Sequence, residues 1–233
     1  MLSNRLSAIV AEWSLLKHRF YRAWNEGALS LDSLRRYAAQ YSVQVHEFPR
    51  FVSAVHSRCP QLDARKVLTE NLCDEEIHDV DHPELWLRFC DDLGLSREAV
   101  AAETPLPETA AMVRVFRAIC DGDWRDGLCA LFAYERQVPE VSASKIDGLK
   151  RFYGIEQERA LSFFRAHQTY DVVHLQKLAA LIDRYGRPGT AEEATQRAAS
   201  ALWGFLDGIA RETGIECGDP DVRAVEPSTG VPS

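Results

Sequence analysis

The sequence has no run of 18 or more apolar residues, so it contains no segment that could span a bilayer as a helix. Its first nine residues mix basic and polar side chains with apolar ones and lack the apolar core of a secretory signal peptide. Basic residues are also few: 27 stand against 35 acidic ones, and the formal net charge of −8 argues against non-specific nucleic-acid binding. These absences predict a cytoplasmic protein that works without a membrane or a nucleic acid.

Paired cysteines are missing as well. The six cysteines include no CxxC pair, and their spacings do not fit a zinc site built from thiolates. Most of them lie in apolar helical stretches, where a free thiol packs as a small hydrophobic side chain. Because a cytoplasm keeps thiols reduced, we expect no disulfide.

Strict alternation of apolar and polar residues, which is typical of strands, is scarce, and apolar residues recur at helical spacing through nearly the whole chain. We predict one all-α domain over residues 1–217 with seven or more helices, and a disordered tail over residues 218–233. Pro49 falls within the second helix and predicts a kink or break near Phe48. The predicted helices are Arg5 to Asn25, Ser30 to Cys59, Leu62 to Asp79, a short one after Pro83, Arg97 to Ala102, Glu108 to Ile119, Trp124 to Gln137, Glu140 to Tyr153, Ile155 to Tyr185, and a last one from a capping box of Thr190 with Glu193 to Thr213.

One stretch in the C-terminal third carries three metal-type ligands, His167, Asp171 and His174. Positions i, i+4 and i+7 of an α-helix lie on one face, so these side chains point the same way from a segment apolar enough to be core. Buried His and Asp side chains need partners, and a metal ion supplies them. The alternative is a hydrogen-bonded polar seam between helices.

A second cluster spans residues 74–82 and contains Glu75, His78 and His82. Glu75 and His82 are seven residues apart, so they share a face if the helix persists to its end, although Pro83 biases His82 away from helical geometry. Glu75 and His78 instead have the Glu-x-x-His spacing of di-iron carboxylate bundles, and only one of the histidines need be a ligand. The alternative is an acidic, solvated end of the helix.

Glu135 is the third candidate, because it follows directly on the apolar helical run 128–132, a strange place for an unpaired carboxylate. It forms either a salt bridge or a bridging contact to metal. The pooled carboxylates and imidazoles suit two irons, or iron with manganese, better than a structural zinc, and such a site could activate O₂. All-α bundles hold sites of this kind in their core. The six candidate ligands are Glu75, His82, Glu135, His167, Asp171 and His174.

Five longer motifs surround these candidates: Tyr134-Glu-Arg-Gln-Val-Pro-Glu-Val, Ser144-Lys145-Ile-Asp-Gly-Leu, Phe163-Phe164-x-x-His167-x-x-x-Asp171-x-x-His174, Asn71-Leu72-x-Asp74-Glu75-Glu76 with His82, and Phe20-Tyr21-x-x-Trp24-x-x-Gly27-x-Leu29. Together they make the chain resemble the haem-oxygenase-like di-metal oxidases, and among these the subgroup of the chlamydial protein associating with death domains. The resemblance runs from about residue 18 to residue 182. It implies an all-α, haem-oxygenase-like bundle, a fold that TenA thiaminases and PqqC share more distantly, without the expected ligand set.

The resemblance implies a self-sacrificing para-aminobenzoate synthase that feeds folate synthesis without chorismate. Such enzymes need a di-metal cofactor, Fe/Fe or Mn/Fe, together with O₂ and a reductant. They consume one of their own tyrosines as the source of the aromatic ring, and a lysine is implicated as the amino-group donor. By motif the tyrosine is Tyr21 and the lysine is Lys145, while Tyr37 matches a second tyrosine implicated in radical transfer. The metal ligands fall on the six candidates, with the choice between His78 and His82 left open because residues 77–81 depart from the chlamydial pattern.

Without the resemblance, Tyr21 would be an ordinary core aromatic, and Lys145, which follows two serines, could simply be exposed. An amine donor needs its neutral form, and burial beside a metal site would supply that form by lowering the lysine pKa. The aromatic residues expected to form the core or to line the cavity are Tyr41, Phe48, Phe152 and Phe164.

Two other functions stay open. A di-iron oxidase of the same fold would act on a diffusible fatty acid or amino acid and would have a long apolar cavity or an Arg anchor. A metal-free binding or regulatory bundle of TenA type would have to hold six ligand-type residues in its core without a metal.

The resemblance also implies a homodimer. The apolar face of the last helix, with Leu202, Trp203 and Leu206, either forms the dimer interface or caps the bundle. The electron donor is not identified.

Overall fold

The computed structural model describes residues 1–77 and 79–215, with the backbone alone at residues 169–172. Within these limits the chain is helical and has no β-strand, so the predicted all-α class is confirmed. The predicted tail at residues 218–233 lies outside the described residues. The helices in chain order are α1 (Leu2–Glu12), a 3-10 turn (Leu15–Lys17), α2 (Arg19–Asn25), α3 (Leu31–Arg58), α4 (Leu62–Glu76), α5 (His82–Asp92), α6 (Arg97–Ala101), α7 (Pro107–Cys120), α8 (Trp124–Glu135), α9 (Val138–Phe152), α10 (Glu158–Tyr185) and α11 (Thr190–Glu212).

Helix α8 lies at the centre of the bundle. Every residue from Gly127 to Glu135 is buried, the pattern of a helix that is covered on all sides. It packs against α3, α7, α10 and α11, and the long helices α3 and α10 in turn contact α4 and α5. A polar side chain at the end of α8, such as that of Glu135, is therefore placed in the core.

The predicted first helix is divided in two, which corrects the continuous span from Arg5 to Asn25. α1 ends at Glu12, the 3-10 turn follows, and α2 starts after His18, whose backbone is extended. The amide of Phe20 donates to His18 Nδ1 (3.1 Å), while His18 Nε2 lies 3.1 Å from Asp207 Oδ1 on α11. His18 therefore caps α2 and ties it to the far end of the chain.

Pro49 does not break α3, which excludes the predicted break and leaves the kink as a prediction. The helix runs without interruption past this residue to Arg58. Proline removes one main-chain hydrogen bond, but the neighbouring Phe48, Phe51 and Val52 are buried, and their burial outweighs that loss.

The N-terminal capping residues of α3 and α11 can be compared with the helix starts predicted from the sequence. Ser30 is the N-cap of α3, as predicted, because its hydroxyl accepts a hydrogen bond from the amide of Ser33 (3.0 Å). At the start of α11 it is Glu192, rather than Glu193, that turns back and accepts from the amide of Gly189 (2.5 Å). The predicted capping box is therefore displaced by one residue.

The last helix packs inward. Leu202 and Leu206 are buried within the chain, and Trp203 lies against His18 with ring centres 4.8 Å apart. These residues therefore help to close the bundle, and the homodimer stays a prediction.

The predicted reduced thiols agree with the structure. The five described cysteines are free, and four of them are buried, while Cys217 lies outside the described residues. None of the described helices combines the length and the apolar content that a bilayer crossing requires.

Gly148 on α9 lets Trp24 of α2 pack closely beside it. A Cβ at position 148 would lie 2.6 Å from Trp24 Cδ1 and 2.8 Å from its Nε1. Because Trp24 is fully buried, Gly148→Ala is expected to lower the free energy of unfolding by about 1–3 kcal/mol, measured by urea denaturation. Gly204→Ala in α11 is the control: nothing lies within 4 Å of its Cβ, so we expect unchanged stability or a gain of about 0.5–1 kcal/mol. Equal stability of the two variants would contradict the close approach.

Candidate active site

Three candidate ligands from three helices lie together in the core. Glu75 is on α4, His82 opens α5 and His167 is on α10, and all three are buried. One possible ligand atom of each lies within 4.8 Å of those of the other two. His82 Nδ1 is 2.8 Å from Glu75 Oε2, and the ring centres of His82 and His167 are 4.5 Å apart. Since ligands sit about 2.0–2.3 Å from their ion, side chains at this separation can share one ion after small adjustments.

The helix does not continue from Glu75 to His82, so the predicted shared helical face is wrong. α4 ends at Glu76, and α5 begins at His82 with Asp81 as its N-cap and Pro83 in the first turn. The two side chains meet because two separate helices converge. His78, the alternative ligand, lies outside the described residues.

The histidines of this cluster each keep one ring nitrogen for a ligand. His167 Nδ1 donates to the carbonyl of Phe163 (3.1 Å), which leaves the lone pair on Nε2. His82 Nδ1 faces Glu75, and its buried Nε2 has no hydrogen-bond partner among the described residues. Burial lowers the pKa of His167, and the nearby His82 lowers it further, so the imidazole is neutral, as a metal ligand must be. The donor set and the partnerless nitrogen fit a bound metal ion.

Glu135 stands next to this cluster. Its Oε1 accepts from Asn71 Nδ2 (2.6 Å), and its buried Oε2 has no partner among the described residues. Burial raises the pKa of the Glu135 carboxyl to about 8; the bond from Asn71 opposes this increase, and the Glu75 carboxylate adds to it. No cation pairs with Glu135 in the described part of the chain, so the predicted alternative of a salt bridge is not observed there.

The other two candidate ligands on α10 are His174 and Asp171. His174 is buried, and its Nε2 lies 2.7 Å from Asp74 Oδ2 rather than joining the three-residue cluster. A carboxylate that accepts from one imidazole nitrogen orients the ring and leaves Nδ1 available. The side chain of Asp171 lies outside the described residues. Asp74 was not predicted to have a role, although it precedes Glu75 in a quoted motif and its position was therefore a usable signal.

A second polar cluster, the tyrosine–lysine cluster, consists of Tyr21, Tyr37 and Lys145 on α2, α3 and α9. Lys145 Nζ donates to Tyr37 Oη (2.7 Å), and Tyr37 Oη lies 3.0 Å from Tyr21 Oη. The three residues are only 0–3% exposed. The three residues that the resemblance singled out thus form one buried hydrogen-bonded chain.

Aromatic rings enclose the lysine amine. Nζ of Lys145 lies 4.7–5.5 Å from the ring centres of Tyr21, Tyr37, Tyr41 and Phe164. Burial lowers the pKa of Lys145 to about 7 and raises those of Tyr21 and Tyr37 above their ordinary values. The exposed alternative for Lys145 is therefore wrong: near neutral pH a large share of the amine is neutral, while both phenols keep their protons.

Lys145→Met is expected to stabilise the protein by about 1–4 kcal/mol at pH 7, because it removes a buried ionisable group. The unfolded chain keeps this proton up to about pH 10, whereas the folded chain releases it near pH 7. Between these values the unfolded state binds more protons, so wild-type stability rises with pH, and below pH 7 the cost of burying the charge is complete. The gain of the variant should therefore be largest below pH 7 and shrink toward pH 10.

Urea unfolding over a pH series measures this difference. Lys150→Met changes an exposed lysine of the same helix and should show no pH-dependent gain over the wild type. A gain of the Lys145 variant that grows with pH would contradict the burial of its amine.

A run of touching rings joins the two clusters. Measured between ring centres, Phe163 lies 4.3 Å from His167 and 4.8 Å from Trp86. Trp86 lies 4.8 Å from Tyr41, which in turn stacks on Tyr37 at 5.4 Å. These rings keep the space between the clusters apolar and dry. A cavity of about 20 Å³ lies beside the tyrosine–lysine cluster, lined by residues that include Tyr21, Tyr41, Lys145 and Phe163.

The predicted aromatic lining is correct in part. Tyr41 lines the cavity, and Phe48 and Phe164 are buried, but Phe152 is 40% exposed because it closes the end of α9. Two features were not predicted from the sequence: the place of Trp86 among these rings and the hydrogen bond of 2.6 Å between Tyr41 and Tyr134. Tyr134 precedes Glu135 in a quoted motif, so its position was a usable signal.

Comparison with known proteins shows the family of the chain. The family model of iron-containing redox enzymes matches residues 35–206. The 4-aminobenzoate synthase of Nitrosomonas europaea is 39% identical, over 88% of this chain and 89% of its own length. The proteins of the same name from Chlamydia muridarum and Chlamydia trachomatis are 37% and 36% identical, over 88% of this chain and 88% and 90% of theirs.

Solved structures agree on the fold. A domain of unknown function with a haem-oxygenase-like fold from Shewanella denitrificans has a TM-score of 0.79 at 15% identity and covers 96% of this chain and 98% of its own. A CADD-like protein of unknown function from Nostoc punctiforme has a TM-score of 0.75 at 17% identity, with 91% and 94% covered. The chain therefore has the haem-oxygenase-like fold and belongs to the family of iron-containing redox enzymes.

Proposed function

We propose that the protein is a self-sacrificing, O₂-dependent 4-aminobenzoate (para-aminobenzoate) synthase that takes the aromatic ring from Tyr21 and the amino group from Lys145. The relatives that carry this name are 35–39% identical to the chain over most of its length. The product serves folate synthesis. The proposal keeps the cytoplasmic location and the homodimer predicted above, although neither takes part in the chemistry.

One observation carries the proposal: the Lys145 amine, Tyr37 and Tyr21 form a single hydrogen-bonded chain in the core. A phenol ring and an amine are the two parts of the product, and both are held away from water beside a cluster of metal-type ligands. Because Tyr37 lies between them, the Tyr21 hydroxyl proton has a short path to Tyr37 Oη and then to the neutral Nζ of Lys145. Tyr37 thus acts as a proton relay and holds both partners in place.

The six candidate ligands are proposed to hold two metal ions, Fe/Fe or Mn/Fe. The clustered ligand atoms of Glu75, His82 and His167 support this, as do the partnerless oxygen of Glu135 and the remaining nitrogen of His174. Asp171 is included for its position on α10, one turn from His167. When bound, these ions supply the redox chemistry that O₂ and a reductant require.

The geometry does not favour the two alternatives. An oxidase for a diffusible fatty acid or amino acid needs space for its substrate, but the cavity beside Tyr21 and Lys145 has room for about one water molecule and no arginine in its described lining. A metal-free binding bundle would leave the buried Nε2 of His82 and Oε2 of Glu135 unpaired, which is costly.

Intact-protein mass before and after reaction tests the proposal. The apo-protein is loaded anaerobically with Fe(II), or with Mn(II) plus Fe(II), and then given reductant and O₂, and the small-molecule fraction is assayed for 4-aminobenzoate. We expect a loss of mass that maps to Tyr21, with at most one product molecule per chain. An unchanged chain that makes product repeatedly, or that only consumes O₂, would overturn the proposal.

A further inference from the structure

A second cavity opens at the surface, directly outside the one that Tyr21 and Lys145 line. This outer cavity measures about 220 Å³, against about 20 Å³ for the inner one. Val141 lines both cavities. Leu15 and Val138 line the inner cavity, whereas their chain neighbours Leu16 and Gln137 line the outer one. The wall between the cavities is therefore formed by the 3-10 turn and the start of α9.

The 3-10 turn is short. It has three residues, and its two leucines pack against the core but are only partly buried. Across the wall, one side-chain hydrogen bond ties it to the α8–α9 junction, where Gln137 Oε1 accepts from the amide of Leu15 (2.9 Å). A three-residue segment with partly buried side chains opens at a lower free-energy cost than the fully buried helices of the core. The turn can therefore move aside while α1 and α2 stay folded.

The outer cavity carries more positive than negative charge. Lys17 and Arg136 line it, together with one carboxylate, that of Glu140. Arg136 lies 3.4 Å from Glu140, but both side chains reach solvent, which weakens the pair. Lys17 Nζ donates to the main-chain carbonyl of Ala11 (2.8 Å). With the apolar side chains of Val10 and Leu16 beside these cations, the cavity suits a flat aromatic ring that carries a carboxylate.

We propose that the outer cavity is a binding site for the aromatic carboxylate product, occupied as the product leaves past the displaced 3-10 turn. The inference rests on the proposed function: Tyr21 is 2% exposed, so a product built from its ring has no direct way to solvent. The carboxylate lies between Lys17 and Arg136, and the ring lies against Leu16. Leu15 then separates the reacting groups from water until the turn moves.

Binding of 4-aminobenzoate to unreacted protein is the first test, by titration calorimetry at low salt. We expect Lys17→Gln/Arg136→Gln to weaken binding at least tenfold. Lys150→Gln/Arg151→Gln is the matched control, since it removes the same charge from exposed residues of α9, where Arg151 has an i,i+4 partner just as Arg136 does. Aniline, which lacks the carboxylate, should bind weakly to all three proteins. Equal affinity of the two double variants, or no binding to the wild type, would overturn the proposal.

Product release is the second test. Leu16→Trp fills the outer cavity, so 4-aminobenzoate made by this variant should stay with the protein after rapid desalting, whereas the wild type loses it. Equal retention would overturn the exit route. Failure of the proposed function would look different: no product would form and the mass of the chain would not change. The titration uses unreacted protein and can still be interpreted in that case.

Discussion

Tyr21→Phe is expected to reduce 4-aminobenzoate formation to below detection while the protein stays folded and keeps its metal. Phenylalanine preserves the buried ring but removes the hydroxyl that bonds to Tyr37. Without this hydroxyl the ring can neither pass its proton to Tyr37 nor be oxidised as a phenol. The loss of one buried hydrogen bond lowers the free energy of unfolding by only about 0.5–1.5 kcal/mol, so the effect on product far exceeds the effect on folding.

Three measurements separate these effects: product per chain, intact mass after reaction, and metal content before it. Tyr153→Phe is the matched control, because this tyrosine also lies beside Trp24 but its hydroxyl accepts from the amide of Leu29 and stays outside the chain of Tyr21 and Tyr37. The control should make product and lose mass like the wild type. Wild-type yield from Tyr21→Phe would show that the ring comes from elsewhere and would contradict the proposed function.

The helices were predictable because their signals are local. The caps of α3 and α5, at Ser30 and near Pro83, lie within a few residues of the turns that they stabilise. The division of the first helix was not predictable for the opposite reason. His18 is held by Asp207, 189 positions away, and no local pattern reports that contact. Pro49 shows the same limit, since tertiary packing overrode a strong local signal.

The candidate site also contains features that a single helix encodes and features that depend on contacts between helices. The spacing of His167 and His174 placed both on buried turns of α10, which a single helix can encode. The spacing of Glu75 and His82 suggested a shared helical face, but the two residues meet because separate helices converge, and only the folded chain contains that information. The burial of Lys145 depends likewise on rings from α2, α3 and α10, so its serine-rich flanks could not distinguish an exposed lysine from a buried one.

His167→Ala is expected to abolish stoichiometric metal binding. Wild-type apo-protein given anaerobic Fe(II) or Mn(II) should retain metal after desalting and should gain about 2.7 kcal/mol of stability when the free metal is at a hundred times its Kd. The variant should retain only background metal and show no such gain, because it loses one of three clustered ligands, and Glu75 and His82 already satisfy each other. His46→Ala, which removes an exposed histidine of α3, is the matched control and should behave like the wild type.

The diagnostic quantity is the stability gained on adding metal, not the stability of the apo-protein. Removing a buried imidazole loses its hydrogen bond to the carbonyl of Phe163, which keeps its main-chain partner within α10, and lowers the stability of the apo form by about 0.5–1.5 kcal/mol whether or not metal ever binds. An equal metal-induced gain in the wild type and in His167→Ala would place the metal elsewhere. Glu75 and His82 would then form an ordinary buried ion pair, and His82 Nε2 would remain a buried nitrogen without a described partner. Such a group is costly to keep, and this cost is the physical reason to expect that the metal binds here.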